Sequence, residues 1–305
     1  MAGVRENVIE QGPATRRSRP AGVVSSLRPH QWVKNVLVIV PAIAAHRVHE
    51  TPVLLASLVA FACFCLAASG VYVANDVMDV AADRLHPRKR SRPIASGALP
   101  VGTARMISAA CVASALVVSW LAVSPRLAAM ILLYVAVSVA YSARLKREPV
   151  VDVFVLAGLY VVRVLAGAVA TAIPISSWFL AFAMFLFLSL AFVKRYTELF
   201  LMKGALVGRG YIAGDDRWMP AIGISSGYMA VLVLALYINA PEVARLYHRP
   251  ALLGLLCPIL LFWVTRLWFR ASRELVHDDP VVEALRDPLT YLLGGVSLVV
   301  LYLST

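Results

Sequence analysis

The sequence predicts an all-α integral membrane protein, a bundle of about nine transmembrane helices. Hydrophobic residues make up 60% of the 305 residues and charged residues only 15%, which is too apolar for a soluble domain of this length. The apolar residues gather in runs long enough to cross a bilayer. These runs lack the alternation of a transmembrane β-strand, and backbone groups in lipid must bond within their own segment. Each run is therefore predicted to be a helix.

Nine apolar runs are interpreted as spans. The first residues, 1–24, hold several arginines, prolines and glycines without the apolar core of a signal peptide, and we interpret them as a flexible cytoplasmic tail. The remaining residues, 25–305, are predicted to form a single transmembrane domain. The approximate boundaries of the spans are 33–46, 52–75, 103–123, 127–143, 150–171, 177–195, 219–240, 251–270 and 288–303.

Lysine and arginine are distributed unevenly between the two sides of this predicted bundle. If the N-terminus is cytoplasmic, 24 of the 29 fall on the inner side and four on the outer side, while Arg163 lies within a span. Cytoplasmic loops of membrane proteins carry such an excess, so we expect a multi-pass protein of the cell (plasma) membrane. The net charge of +12 then belongs to inner loops, which favours membrane lipid over nucleic acid as the partner.

Three aspartates follow one another where the second span reaches the predicted cytoplasmic side. Asp76, Asp79 and Asp83 are spaced so that a helix places their carboxylates on one face. Like charges this close need a cation beside them, and a hard divalent ion is the usual one. Because Mg²⁺ bridges a few carboxylates to substrate phosphates, we predict that these aspartates are catalytic ligands of Mg²⁺ and that the substrate is phosphorylated.

A basic run follows the aspartates directly. Lys89, Arg90 and Arg92 are expected to hold phosphate oxygens, arginine through paired hydrogen bonds and lysine as a point charge. Pro87 and Pro93 would end the helix and stiffen the loop. The alternative is a solvated helix end followed by a basic anchor that orients the protein in the membrane. The order of the residues, acids on one face and then bases in a proline-framed loop, favours the metal and phosphate site.

The motif N-D-x-x-D-x-x-x-D that begins at Asn75 resembles the first aspartate-rich motif of the UbiA-type superfamily of intramembrane prenyltransferases. Residues 86–97 and the upstream L-R-P-H-Q-W-V-K-N at 27–35 resemble one branch more closely, the decaprenyl-phosphate phosphoribosyltransferases. The resemblance covers most of the chain. It implies a UbiA-type nine-helix bundle, Mg²⁺, a lipid that enters sideways from the bilayer, and a catalytic role for residues 25–305.

The branch implies a glycosyltransferase of the pentosyltransferase class. Its donor is 5-phosphoribosyl diphosphate, its acceptor is a polyprenyl (decaprenyl) phosphate, and its product is a lipid-linked arabinose precursor for cell-wall arabinan. The superfamily often has a second aspartate-rich motif after the sixth span, whereas this chain has K-R-Y-T-E at 194–198, with Glu198 as the single carboxylate. This departure counts against the alternative function, aromatic prenylation with a polyprenyl diphosphate.

A lipid transporter is the remote alternative. Transporters place polar residues at the middle of the membrane, whereas the acidic residues of this chain lie at one face. The sequence leaves the lipid chain length open, and it also leaves open whether the chain forms a homo-oligomer.

Further polar residues near the ends of the spans are predicted to bind substrate. Lys34 suits either a lipid-headgroup anchor or a phosphate ligand, and the resemblance of its segment favours a substrate role. Arg163 lies inside a span and needs either an anionic ligand or a structural partner on another helix. Lys194 and Glu198 form either a surface ion pair or part of a phosphate site. The predicted substrate-binding residues are Lys34, Asn35, Asn75, Lys89, Arg90, Arg92, Tyr141, Lys146, Asp152, Arg163, Lys194, Arg195 and Glu198.

Overall fold

The structure, a computed structural model, is helical in the part of the chain that it describes. That part comprises residues 19–85, 89–201, 209–212, 214–240, 243, 247–276, 280–284 and 286–305. Its α-helices, numbered in chain order, are α1 (Arg19–Leu27), α2 (Val40–Ala44), α3 (Thr51–Met78), α4 (Val80–Leu85), α5 (Val101–Ala122), α6 (Pro125–Ala143), α7 (Val151–Thr171), α8 (Ser177–Leu201), α9 (Met219–Ile238), α10 (Pro250–Leu253), α11 (Leu256–Ser272), α12 (Pro280–Ala284) and α13 (Pro288–Ser304). Short 3₁₀ segments lie between them at Pro29–Val38, Lys89–Ser91, Leu145–Arg147 and Asp215–Arg217.

Apolar helices long enough to cross a membrane dominate the structure, so the predicted class of integral membrane helix bundle is confirmed. Within the described residues there are seven of them rather than nine. The last predicted span, α13, is a shorter apolar helix of 17 residues. The seven are Thr51–Met78, Val101–Ala122, Pro125–Ala143, Val151–Thr171, Ser177–Leu201, Asp215–Ile238 and Pro250–Ser272.

The first predicted span, 33–46, is not a continuous α-helix. A 3₁₀ segment covers Pro29–Val38, and the short helix α2 follows it. Pro41, at the start of α2, cannot donate a backbone hydrogen bond to a preceding turn, so an α-helix through this position would be broken. The apolar run predicted a span because hydropathy alone does not register this interruption.

The first residues that the structure describes form a helix. Residues 1–18 of the predicted cytoplasmic tail lie outside the described residues, as do residues 86–88 of the basic run. From Arg19 onwards the chain forms α1, so the end of the predicted tail is helical.

Hydrogen bonds attach the segment after α1 to α3. Trp32 Nε1 donates to Ser69 Oγ at 3.0 Å, and Ser69 Oγ donates to the Leu27 carbonyl at 2.9 Å. This pair of hydrogen bonds fixes the segment before the bundle to the middle of α3.

Close backbone contact brings the first 3₁₀ segment onto α7. A Cβ atom at Gly167 would lie 1.9 Å from the carbonyl oxygen of Val38, so a larger residue there would force the two elements apart. Asn35 is fully buried in this contact, and its Oδ1 accepts a hydrogen bond from Arg163 Nε at 2.9 Å. The contact therefore places Asn35 against Arg163, the arginine that lies inside a span.

The helices α3, α7 and α8 form the centre of the bundle. In the most apolar stretch of α3, 56% of the residues are buried, against 11% in α5, which leaves most of α5 for contact with lipid. The C-terminal ends of α3, α6 and α8 and the N-terminal end of α7 meet at one side of the bundle, where they line a single cavity. Most of the predicted site residues lie at these ends.

Candidate active site

A polar cavity of about 910 Å³ opens at this end of the bundle. Among the described residues, ten basic and three acidic side chains line it. Such an excess of cations attracts and holds a multiply charged anion. The acidic residues are Asp79, Asp83 and Glu198, and the basic residues are Arg28, Lys34, Lys89, Arg92, Lys146, Arg147, Arg163, Lys194, Arg195 and Arg209.

The three aspartates lie on successive helical turns, as predicted, although the helix is interrupted. The helix α3 ends before Asp79, and α4 begins after it. The backbone amides of Asp79 and Asp83 nevertheless donate to carbonyl oxygens four residues earlier, at 2.9 and 2.8 Å. The chain therefore keeps an α-helical path through the interruption, and the spacing of the carboxylates is preserved.

The ends of α3 and α4 form one wall of the cavity, the aspartate wall, which carries Asp76, Asp79 and Asp83. Two arginines bind its buried aspartates. Oδ1 of Asp76 accepts from Arg28 Nη2 at 2.6 Å and from Arg92 Nη1 at 3.0 Å. The same nitrogen of Arg92 donates to Asp83 Oδ2 at 2.7 Å. Asp76 and Asp83 are only 2% and 3% exposed, so these arginines supply the opposite charge that buried carboxylates require. The two aspartates in turn hold Arg28 and Arg92 at the edge of the cavity.

Asp79 is the most accessible of the three aspartates. Its side chain is 33% exposed, and its Oδ2 lies 3.4 Å from Lys146 Nζ. No group of three or more metal-binding side chains converges on one point within the described residues. Within the same part of the chain, however, the two arginines and Lys146 contact only one oxygen of each of the three carboxylates. Because Mg²⁺ takes one or two protein carboxylates together with phosphate oxygens and water, this donor set fits an ion shared with a substrate phosphate.

The ends of α6, α7 and α8 form a second wall around a buried arginine. Arg195 is 0% exposed and donates to both Asp152 and Glu198. Tyr141 OH accepts from Arg195 Nη2 at 2.6 Å and donates to Asp152 Oδ1 at 2.8 Å. Asp152 is also completely buried and lies behind the cavity lining, where it holds Arg195 in place.

Arg163 lies at the deep end of the cavity and is 4% exposed. Its guanidinium donates to Asn35 Oδ1 at 2.9 Å, to the Leu159 carbonyl at 2.6 Å and to Tyr134 OH at 3.0 Å. The ring centroids of Tyr134 and Tyr160 lie 4.7 and 5.6 Å from its central carbon. Arg163 therefore has the structural partners on other elements that its burial requires, and it also faces the cavity.

Most of the predicted site residues line this cavity. Four do not in the described part of the chain: Asn35, Asp76 and Asp152 are buried behind the lining, and Arg90 is exposed outside it. The predicted residues that do line it are Asp79, Asp83, Lys34, Asn75, Lys89, Arg92, Tyr141, Lys146, Arg163, Lys194, Arg195 and Glu198.

Comparison with known proteins assigns this chain to a family. The sequence model of the UbiA prenyltransferase family matches residues 35–279. The chain belongs to the UbiA prenyltransferase family. It is 39% identical over 265 residues to the nodulation protein NoeC of Azorhizobium caulinodans, with 85% of each chain covered. It is also 39% identical over 238 residues to the decaprenyl-phosphate phosphoribosyltransferase of Mycobacterium tuberculosis, with 76% of this chain and 78% of that one covered.

A third relative is longer, and a solved structure shares the fold. The protein y4nM of Sinorhizobium fredii is 33% identical over 277 residues, but the chain spans only 54% of its length. The structure of a UbiA homolog from Archaeoglobus fulgidus bound to GPP and Mg²⁺ superposes with a TM-score of 0.70 at 17% identity, covering 93% of this chain and 100% of that one. The fold and the resemblance predicted from the motifs are thus confirmed, and the protein is a membrane-embedded transferase.

The cavity of this UbiA-family enzyme contains residues that the sequence reasoning did not assign. Arg28 was visible as part of the upstream motif, but nothing in the sequence showed that it reaches Asp76. Tyr134 and Tyr160 lie within apolar spans, where aromatic residues are ordinary packing groups. Arg209 follows α8 in a connection that carries no motif, so only the tertiary structure shows that it faces the cavity.

Proposed function

We propose that this enzyme transfers a 5-phosphoribosyl group from 5-phosphoribosyl diphosphate to a polyprenyl phosphate and releases diphosphate, which supplies a lipid-linked arabinose precursor for cell-wall arabinan. The excess of cations in the cavity is the observation that carries the proposal. An aromatic prenylation brings a single diphosphate, whereas the proposed substrates bring a diphosphate, a 5-phosphate and a lipid phosphate. The relatives named decaprenyl-phosphate phosphoribosyltransferase support the same assignment.

In this proposal the donor's diphosphate binds at the aspartate wall. Asp79 and Asp83, which line the cavity, would hold Mg²⁺ there, with the buried Asp76 beside them completing the acidic set. When bound, the ion neutralises the charge that develops on the departing diphosphate. Lys89 lines the same part of the cavity and binds the phosphate oxygens directly.

The deep end of the cavity suits the lipid phosphate. Lys34 and Arg163 offer positive charge there, and Leu156 and Leu159 offer apolar surface beside it. A phosphate on an isoprenoid chain needs both kinds of surface next to each other. The bilayer-embedded helices would hold the rest of the chain, so the acceptor enters with its phosphate towards the donor.

The chemical step needs positioning more than proton transfer. A phosphate oxygen of the lipid forms a bond to C1 of the ribose as the bond from C1 to the diphosphate oxygen breaks, and the bonding electron pair leaves with the diphosphate. The cations around the diphosphate stabilise this charge as it develops. No general base is required, because the lipid phosphate is already an anion.

The deciding experiment supplies the purified chain with Mg²⁺, labelled 5-phosphoribosyl diphosphate and a polyprenyl phosphate, beside a second mixture of prenyl diphosphates and aromatic acceptors. We expect a phosphoribosyl lipid from the first mixture only. Chelation of the metal and the variant Asp79→Asn should each lower the rate on the order of 100-fold or more. The matched variant Glu148→Gln, at an exposed carboxylate outside the cavity, should keep it. Product from the second mixture alone would overturn the proposal.

A further inference from the structure

Two arginines lie at the wall formed by the ends of α6, α7 and α8, and they differ in burial and in their hydrogen bonds to the protein. Arg195 makes four hydrogen bonds, to Asp152, Glu198 and Tyr141, and is completely buried. These partners occupy four of the five N–H groups that a guanidinium carries. Arg195 is therefore a positioning residue, since its geometry is already fixed by the protein.

Arg209 reaches the same groups from the cavity side. Its Nη1 lies 3.3 Å from Tyr141 OH, and its nitrogens lie 3.9 Å from an oxygen of Asp152 and 3.8 Å from one of Glu198. The two ion-pair distances are longer than a hydrogen bond. The side chain is 29% exposed and lines the cavity. Part of the guanidinium of Arg209 therefore stays accessible to a ligand in the cavity, although Nη1 and Nε face the wall.

The backbone beside Arg209 is held against the connection between α6 and α7. Gly210 has φ +69°, and a Cβ atom there would lie 2.3 Å from the carbonyl oxygen of Arg147, so only glycine fits. Tyr211 is 3% exposed, and its hydroxyl accepts a hydrogen bond from the Val150 amide at 3.4 Å. Burial raises the pKa of the Tyr211 phenol, and the nearby carboxylate of Asp152 raises it further, so the hydroxyl stays neutral.

A strained residue lies on the other side of this contact. Val150 has φ 68°, a conformation that is rare for a β-branched residue. Such strain persists only where the surrounding contacts impose it, and it concentrates at functional sites. The contact between Tyr211 and Val150 thus fixes two connections of the chain to each other and fixes the direction in which Arg209 leaves the backbone.

We infer that Arg209 binds a phosphate monoester group of a substrate, and that Gly210 and Tyr211 place it for this purpose. The inference rests on the proposed function and deepens it. In that function the diphosphate belongs to the aspartate wall, while the donor's 5-phosphate and the lipid phosphate are both monoesters that need cations elsewhere. The planar guanidinium of arginine matches two oxygens of such a group.

The test measures binding of three probes to the purified full-length chain. Ribose 5-phosphate represents the donor's monoester, farnesyl phosphate represents the lipid monoester, and inorganic diphosphate represents the leaving group. The variant Arg209→Gln should weaken binding of one monoester by about tenfold or more, the scale of a charge-assisted hydrogen bond, and should leave binding of diphosphate within about twofold. Arg209→Lys, which keeps the charge without the planar group, should lose less.

The control is Arg144→Gln, at an exposed arginine near the same connection but outside the cavity lining, and it should bind all probes normally. The monoester that loses affinity identifies the bound group. Equal weakening of diphosphate, unchanged binding of both monoesters in Arg209→Gln and Arg209→Lys, or no monoester binding by the unsubstituted chain would overturn the inference. If the unsubstituted chain binds a monoester through Arg209 yet forms no phosphoribosyl lipid, the proposed function fails while the role of Arg209 stands.

Discussion

Buried carboxylates in the described part of the chain are paired with arginines of other elements. Asp76 on α3 is paired with Arg28 before the bundle and with Arg92 after α4, and Asp152 on α7 is paired with Arg195 on α8. Away from water, each partner offsets the cost of burying the other, but the pair as a whole adds little stability over apolar residues of the same size. The pairs therefore fix where the helix ends lie relative to one another, which is what a binding cavity requires.

This pairing gives a prediction for Arg195. The variant Arg195→Met leaves the buried carboxylate of Asp152 without its hydrogen-bonded charge partner, with Arg209 only at 3.9 Å, and we expect it to lower the free energy of unfolding by about 3–5 kcal/mol. The double variant Arg195→Met, Asp152→Asn removes both charges and should recover much of that loss. Thermal unfolding of the purified variants in detergent measures both effects. A single variant as stable as the unsubstituted chain, or a double variant no better than the single one, would contradict the pairing argument.

The sequence predicts which polar residues gather at the site but not which of them line the cavity. Helical spacing placed Asp76, Asp79 and Asp83 on one face, because spacing within a single helix follows from helix geometry. Whether a residue lines a cavity depends on how several helices pack. For that reason the sequence could not show that Asp152 and Asn35, predicted to bind substrate, lie behind the cavity lining, where they bind Arg195 and Arg163.

At the scale of elements, close packing of the broken first segment against α7 brings its polar residues to the cavity. The apolar run at 33–46 predicted a span, whereas the 3₁₀ segment Pro29–Val38 and α2 take its place. Gly167 permits this segment to approach α7. The approach places Lys34 at the cavity and Asn35 against Arg163, so the interruption serves the site.

Two glycines of α7 test this role of close packing. In Gly167→Ala the new Cβ meets the carbonyl oxygen of Val38 at 1.9 Å, which forces the segment away, and we expect a loss of about 1–3 kcal/mol of stability together with reduced transferase activity. Gly158→Ala is the matched control, since nothing lies within 4 Å of a Cβ there and alanine favours a helix by about 0.5–1 kcal/mol. Unfolding midpoints and initial rates measure the two effects. Equal behaviour of the two variants would refute the packing argument.

At the scale of the whole molecule, the apolar helices form one part of the structure, and the polar cavity lies at one end of them. Hydropathy predicted the body well, because lipid requires long apolar helices whatever their contacts. The number of spans was less predictable, since the short helix α13 and the broken first segment have the composition of spans without their length or continuity. The cavity and the basic connections lie at the same end, and the distribution of lysine and arginine predicts that this end faces the cytoplasm.

This orientation can be tested with single cysteines and a membrane-impermeant maleimide. Thr51 is exposed at the start of α3, at the end of the bundle away from the cavity, and Glu148 is exposed between α6 and α7, at the cavity end. We expect Thr51→Cys to be labelled in intact cells and Glu148→Cys only after the membrane is permeabilised, because positively charged loops remain inside. The unsubstituted chain is the control, since its four cysteines all lie within apolar helices. The reverse pattern would place the cavity on the outer face, where a cytoplasmic phosphoribosyl donor could not reach it.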